Sequence, residues 1–178
     1  MLKFFGYLLF VAAVVFAAIL VYATTKPDQF QIARSIVIKA PPEKIFPLID
    51  SPRGFNTWNP FLKKDPATKV TYRGPASGRG AANDWDGDRH VGRGSFEITD
   101  SQPPSKIVMK LDMISPMEAH NRVEFSLQPQ GDSTQVTWAM SGPSPYISKV
   151  MTTVLSMDRM VGSEFERGLA DLKAKAEK

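Results

Sequence analysis

Three features of the sequence predict an α+β fold: a curved antiparallel β-sheet around a long C-terminal α-helix, preceded by one N-terminal transmembrane helix. From Ser144 to Lys178, the residues Ile147, Val150, Met151, Val154, Val161, Phe165, Leu169 and Leu172 recur at helical spacing, forming the apolar stripe of an amphipathic helix. From about Val70 to Met140, apolar and polar residues alternate with period two, as in strands with one face buried. Phe4 to Tyr22 is a run of 19 residues without a charged side chain, close to the roughly 20 needed to cross the hydrocarbon of a bilayer.

The N-terminal run has two readings, a retained signal anchor and a cleaved signal peptide. Val21-Tyr22-Ala23 offers small residues for cleavage. The run exceeds the roughly 7 to 15 residues of a signal-peptide core, and Tyr7 and Tyr22 sit near its ends as interfacial aromatics do, which favours the anchor. Lys3 precedes the run and Lys26, Arg34 and Lys39 follow it, so basic residues alone do not orient it. The expected organisation is an anchor over 1–23, a linker over 24–29 and a globular domain over 30–178, with that domain on the exported, periplasmic side. The short linker keeps the domain close to the bilayer.

Phe30, Ile32, Ile36 and Ile38 share one parity and predict the first strand. Arg34 falls on the same side, either snorkelling at a sheet edge or meeting a ligand carboxylate or buried acid in a pocket. Ala40-Pro41-Pro42-Glu43 stops this strand and opens a short helix with Ile45, Phe46, Leu48 and Ile49 on its apolar face. Phe55, Trp58 and Phe61 predict a second short helix or turn ending near Pro60, with aromatics suited to the core or to one end of a cavity.

Strands are expected around Val70/Tyr72, Ala81/Asn83/Trp85, Phe96/Ile98, Ile107/Met109/Leu111/Met113, Val123/Phe125/Leu127 and Val136/Trp138/Met140. Asp86-Gly87-Asp88 and Gly131-Asp132 supply hairpin turns. Short turns between successive strands predict a meander. Ser144 and Pro145 start the C-terminal helix, and Lys173, Lys175 and Lys178 suit its carbonyl end. Ser156, Asp158 and Gly162 mark a potential break or bend within it.

Composition narrows the function. With 178 residues, 43% of them hydrophobic, the chain holds one ordinary core plus an appendage. Its net charge of +4 is scattered without a basic run, so nucleic acid is not an expected partner. The absence of cysteine excludes disulfides, thiolate metal sites and a cysteine nucleophile. His90 and His120 are the two histidines. His90 belongs to a turn, while His120 at a strand start is a candidate base or ligand. Asp84, Asp86, Asp88 and His90 lack the spacing of a calcium loop. Gly78-Arg79-Gly80 and Gly92-Arg93-Gly94 lack the context of phosphate loops. Glu97, Asp112 and Glu124 have outward parity. No catalytic residue, metal site or cofactor is therefore assigned.

The opening Arg34-Ser35-Ile36-Val37-Ile38-Lys39-Ala40-Pro41-Pro42-Glu43, then Trp58-Asn59-Pro60-Phe61 and Trp85-Asp86-Gly87, resembles the START-like (SRPBCC) superfamily. Thr134 to Trp138, Met157 to Gly162 and Phe165 to Leu169 are similar to its polyketide cyclase/dehydrase and lipid-transport branch. The resemblance, over roughly Phe30 to Glu177, implies a helix-grip fold with an apolar cavity between sheet and C-terminal helix. Members differ widely in chemistry, so the fold alone does not assign one.

The residues expected to line such a cavity are Arg34, Tyr72, Asn83, Trp85, Met109, Leu111, Met113, Phe125, Trp138 and Met140 from the strands, with Val154, Met157, Val161 and Phe165 from the helix. The expected partners are a small hydrophobic molecule, such as a lipid or isoprenoid, and the membrane. Two alternatives stand beside this reading: a cyclase- or dehydratase-like enzyme using Arg34, Tyr72, Asn83 or His120, and a non-catalytic envelope stress or interaction protein.

Overall fold

The computed structural model of the chain describes residues 2–154 and 156–178; the side chains of Lys3 and Val154, both named above, lie outside the described residues. The apolar run forms helix α1 (Leu2–Thr24), which is long and apolar enough to cross a membrane. Strand β1 (Gln29–Ile38) follows, then short helices α2 (Pro42–Ile45) and α3 (Pro52–Asn56). Ser51 caps α3 by accepting a hydrogen bond from the Gly54 amide.

Strands β2 (Lys69–Arg73), β3 (Ala82–Asp86), β4 (Arg93–Gln102), β5 (Lys106–Ser115), β6 (Ala119–Gln130) and β7 (Ser133–Pro143) form the predicted meander, and β1 closes onto the β7 edge. All pairs in this seven-stranded sheet are antiparallel, in the order β1-β7-β6-β5-β4-β3-β2. The β3–β4 connection is longer than the predicted three-residue turn. Asp88 Oδ1 accepts from the amides of His90 and Val91, and the left-handed backbone position is Gly92, with φ of 70°, rather than Gly87.

Strand register arranges the inward side chains in rows. Ile32, Met140, Val123, Met109 and Ile98 make one row, and Arg34, Trp138, Phe125 and Ile107 the next. Beyond them Ile36, Val136 and Leu127 continue into a filled core.

The C-terminal segment differs from the single helix expected. It forms α4 (Tyr146–Val154) and α5 (Met157–Ala176). Ser156 starts the second by accepting a hydrogen bond from the Arg159 amide. The apolar stripe divides accordingly. Phe165, Leu169, Leu172 and Ala176 of α5 are buried against the sheet, whereas Ile147 and Met151 of α4 are exposed. A cap residue with its own amide acceptor competes with a continuing helix, so periodicity alone joins what capping separates.

α5 packs closely because two glycines face the sheet. A side chain at Gly162 would collide with the Arg34 guanidinium, and one at Gly168 would come within 2.8 Å of the Trp138 ring and 2.9 Å of Pro60. Gly168→Val is expected to lower stability by roughly 1–3 kcal/mol through overpacking, read as a reduced denaturant midpoint. Ser156→Ala tests the helix boundary. Loss of the cap costs about 1 kcal/mol, whereas in the interior of one continuous helix the same change would stabilise.

Candidate functional site

The space between sheet, α5 and the α3 segment is filled at one end and hollow at the other. Trp58, fully buried with its indole N–H donating to the Leu48 carbonyl at 2.8 Å, anchors the filled part. Around it Phe55, Phe125 and Trp138 meet edge-on or tilted, with ring centroids 4.8 to 6.0 Å apart. Trp138 also stacks on Phe165, 4.1 Å between centroids and 9° from parallel. Towards the β3–β4 and β5–β6 connections this packing gives way to a cavity of about 370 Å³, within the roughly 300–1,000 Å³ usual for small-molecule sites.

Nine of the predicted residues border this cavity: Asn83, Trp85, Met109, Leu111, Met113, Trp138, Met140, Val161 and Phe165. Others lie elsewhere for local reasons. Phe125 is fully buried in the aromatic cluster. Met157 packs against the core without bordering the cavity.

Tyr72 sits beside α3, where its hydroxyl accepts from Asn56 Nδ2 at 3.4 Å and its ring carries the Arg53 guanidinium at 4.1 Å. Arg34 has the inward parity expected, but α5 captures it. Nε donates to Glu166 Oε1 at 2.8 Å, and Nη1 and Nη2 each reach the Asp158 carboxylate at 3.0 Å. These hydrogen bonds, accepted by Asp158 first and Glu166 second, raise the Arg34 pKa, and those from Arg34 hold Asp158 below the usual carboxylate range. The cation is thus spent on helix docking rather than offered to a cavity.

The polar part of the wall contains residues that periodicity did not single out. Asn59 and Glu164 are both mostly buried at the cavity. Glu164 is held by Lys64 at 3.0 Å and Arg167 at 3.2 Å. Arg89 and His90 contribute from the β3–β4 connection. They come from a loop without a periodic signal. Asn83 is almost fully buried, and neither its Nδ2 nor its Oδ1 has a hydrogen-bond partner among the described residues.

His120 lies on the other face of the sheet, beside an open groove of about 570 Å³. Its Nδ1 is 2.7 Å from Asp112 Oδ1, and Glu118 lies 3.4 Å from Nε2. The hydrogen bond to Asp112 raises the histidine pKa against a smaller opposing effect of burial. Burial likewise pushes Asp112 up, but hydrogen bonds from Lys110 and His120 outweigh it and hold this carboxyl below its usual range. Because the folded histidine has the higher pKa, its contribution to stability is complete below the unfolded value of about 6.5 and is lost as pH rises through the folded value. His120→Gln is expected to flatten the decline of the thermal midpoint across that alkaline flank.

The fold recurs in solved structures. Protein CV1439 from Chromobacterium violaceum superposes with a TM-score of 0.59 at 13% identity, covering 86% of this chain and 99% of that one. Major latex-like protein 151 from Panax ginseng does so with a TM-score of 0.58 at 11% identity, covering 85% and 100%. The di-domain ARO/CYC StfQ of the steffimycin biosynthetic pathway gives 0.62 at 11% identity, covering 84% of this chain and 51% of StfQ. At these identities the likeness is one of fold. No curated protein matches the chain. Residues 29–177, spanning the sheet and the helices that close the cavity, match the family described as polyketide cyclase / dehydrase and lipid transport. The chain therefore belongs to that family, within the START-like, SRPBCC superfamily.

Proposed function

We propose that the chain is a membrane-anchored binding domain that holds a small hydrophobic molecule, lipid- or isoprenoid-like, between its sheet and α5. The observation that carries this reading is the cavity. Protein interiors are close-packed, yet here the rows beside a filled aromatic core leave about 370 Å³ bordered mainly by Trp, Phe, Met, Leu and Val. Large flexible and aromatic side chains adapt to apolar ligands. The family description, which includes lipid transport, supports the same class of cargo. The anchoring half rests on α1, most of whose apolar side chains stand exposed and gain a favourable environment in a bilayer. In this reading the domain stands on the exported side, and protection of the domain from protease in intact cells with an accessible outer face would overturn that orientation.

A cyclase-like reading draws on the same family description and on Asn83, which alone of Arg34, Tyr72, Asn83 and His120 borders the cavity. Its unpaired amide is a polar group in an apolar wall, and retention of any turnover by Asn83→Leu would remove this residue from such chemistry.

The binding reading is tested by native mass spectrometry of the full chain extracted from its own membranes, with displacement of a fluorescent fatty acid as the second readout. A stoichiometric lipid-like adduct is expected. Leu111→Trp, which fills the cavity, is expected to weaken probe binding at least about tenfold, or about 1.4 kcal/mol. Arg34→Gln is expected to lower the thermal midpoint and leave probe affinity unchanged. Equal affinity in the wild type and Leu111→Trp would place the probe elsewhere and defeat the reading.

A further inference from the structure

The cavity and the membrane helix meet at the same end of the sheet. Strand register puts Gln29 opposite Pro143, Met113 opposite Ala119, and Asp86 opposite Arg93. The exit of α1, the entry to α4, the β5–β6 tip and the β3–β4 loop therefore share one end, while the β6–β7 turn at Gly131 and Asp132 marks the other. The cavity wall reaches the shared end through Met113, Pro116, His90 and Met160. Its closed end lies towards the filled aromatic core.

That end also carries an unusual set of exposed apolar side chains. Ile114 is 59% exposed, Met117 54%, Ile147 63%, Met151 42% and Met160 61%. Ile147 and Met151 stand four residues apart on one face of α4. On another side of the same helix Lys149 is buried and paired with Asp28 at 2.6 Å. α4 thus turns a cation inward and leaves an apolar face uncovered by the domain.

The position of α4 relative to α1 identifies what covers that face. The Tyr146 hydroxyl donates to the Leu20 carbonyl at 3.0 Å, and Lys26 Nζ donates to Thr152 Oγ1 at 3.3 Å. The Ser144 amide donates to the Asp28 carbonyl at 2.7 Å. These contacts hold α4 beside the last turns of α1, where the apolar run ends and hydrocarbon would meet headgroups. An amphipathic helix at that depth buries its apolar face in the interface.

We propose that this end of the domain rests on the bilayer that α1 enters, with the Ile147/Met151 face of α4 and the β5–β6 tip at Met117 seated among the headgroups. The cavity then opens onto lipid, and a hydrophobic ligand passes between bilayer and cavity without crossing bulk water. The inference rests on the reading of α1 as a membrane anchor and adds the docked face and the ligand route.

The chain contains no cysteine, so single labels can be introduced at Met117→Cys, Met151→Cys and Asp132→Cys. Each full-length variant is labelled with an environment-sensitive nitrobenzoxadiazole dye and reconstituted into phosphatidylcholine/phosphatidylglycerol vesicles with or without nitroxide-bearing lipid. Flotation is scored first. Co-flotation with loss of most emission at positions 117 and 151, and none at 132, is the expected result. Co-flotation with positions 117 and 151 as unquenched as 132 would overturn the docked face while leaving the anchor intact. Failure to float would overturn the anchor and the docked face together.

Discussion

The contact between Trp138 and Phe165 is the junction on which the architecture turns. It joins the central part of β7 to α5 by a near-parallel stack, while Phe55, Trp58 and Phe61 close on the same indole edge-on. Such aromatic pairs add to the burial of large apolar area. On one side of the stack, Leu169 and Leu172 seal α5 onto a solid core. On the other, the same rings hold helix and sheet apart and leave the cavity. Gly168 makes the arrangement possible, since any side chain there would occupy the space of the indole and of Pro60.

Electrostatics positions α5 rather than driving its burial. Arg34 links β1 to Asp158 in the first turn of the helix and to Glu166 two turns later. Both acids are well exposed, so each pair contributes only modestly to net stability in water. Their geometry nevertheless sets the helix on the sheet, because the guanidinium passes where Gly162 has no side chain. Glu164, mostly buried between Lys64 and Arg167, binds the turn at Leu62–Lys64, after α3, to the same helix at the cavity wall. Leaving such a carboxylate without a partner would be costly, so this wall is held by charge as well as by packing.

α1 and α4 add to this domain a pair of elements with a different role. The Tyr146 hydroxyl on the Leu20 carbonyl joins them directly, and Lys26 on Thr152 and Asp28 on Lys149 tie the linker to α4, so that the apolar helix is related to the end of the sheet where the cavity opens. The Asp28 carboxyl, held below its usual range by the hydrogen bond and charge of Lys149, supplies the linker with a fixed point close to the end of α1. In the proposed reading, a domain tied in this way faces the bilayer with the open end of its cavity.

The sequence by itself determined the strand parities, the meander, the apolar character of α1 and the inward set from Met109 to Phe165, because period-two and helical spacings follow from backbone geometry and need no distant partner. The inward parity of nine residues that border the cavity was legible for that reason, while the cavity itself was implied by the family resemblance. Tertiary structure decided which inward side chains fill and which enclose. Phe125 and Met140 have the same parity, but Phe125 belongs to the filled cluster and Met140 to the cavity wall, a distinction set by where α5 and the α3 segment come to rest. Arg34 found its acids 124 and 132 residues away, beyond the reach of local pattern. Lys64, Arg89 and His90 entered the wall from segments without periodicity. The division at Ser156 was signalled by residue type, yet the choice between a bend and a new helix depended on burial: α5 has the sheet to cover its stripe, and α4 lies against the end of α1.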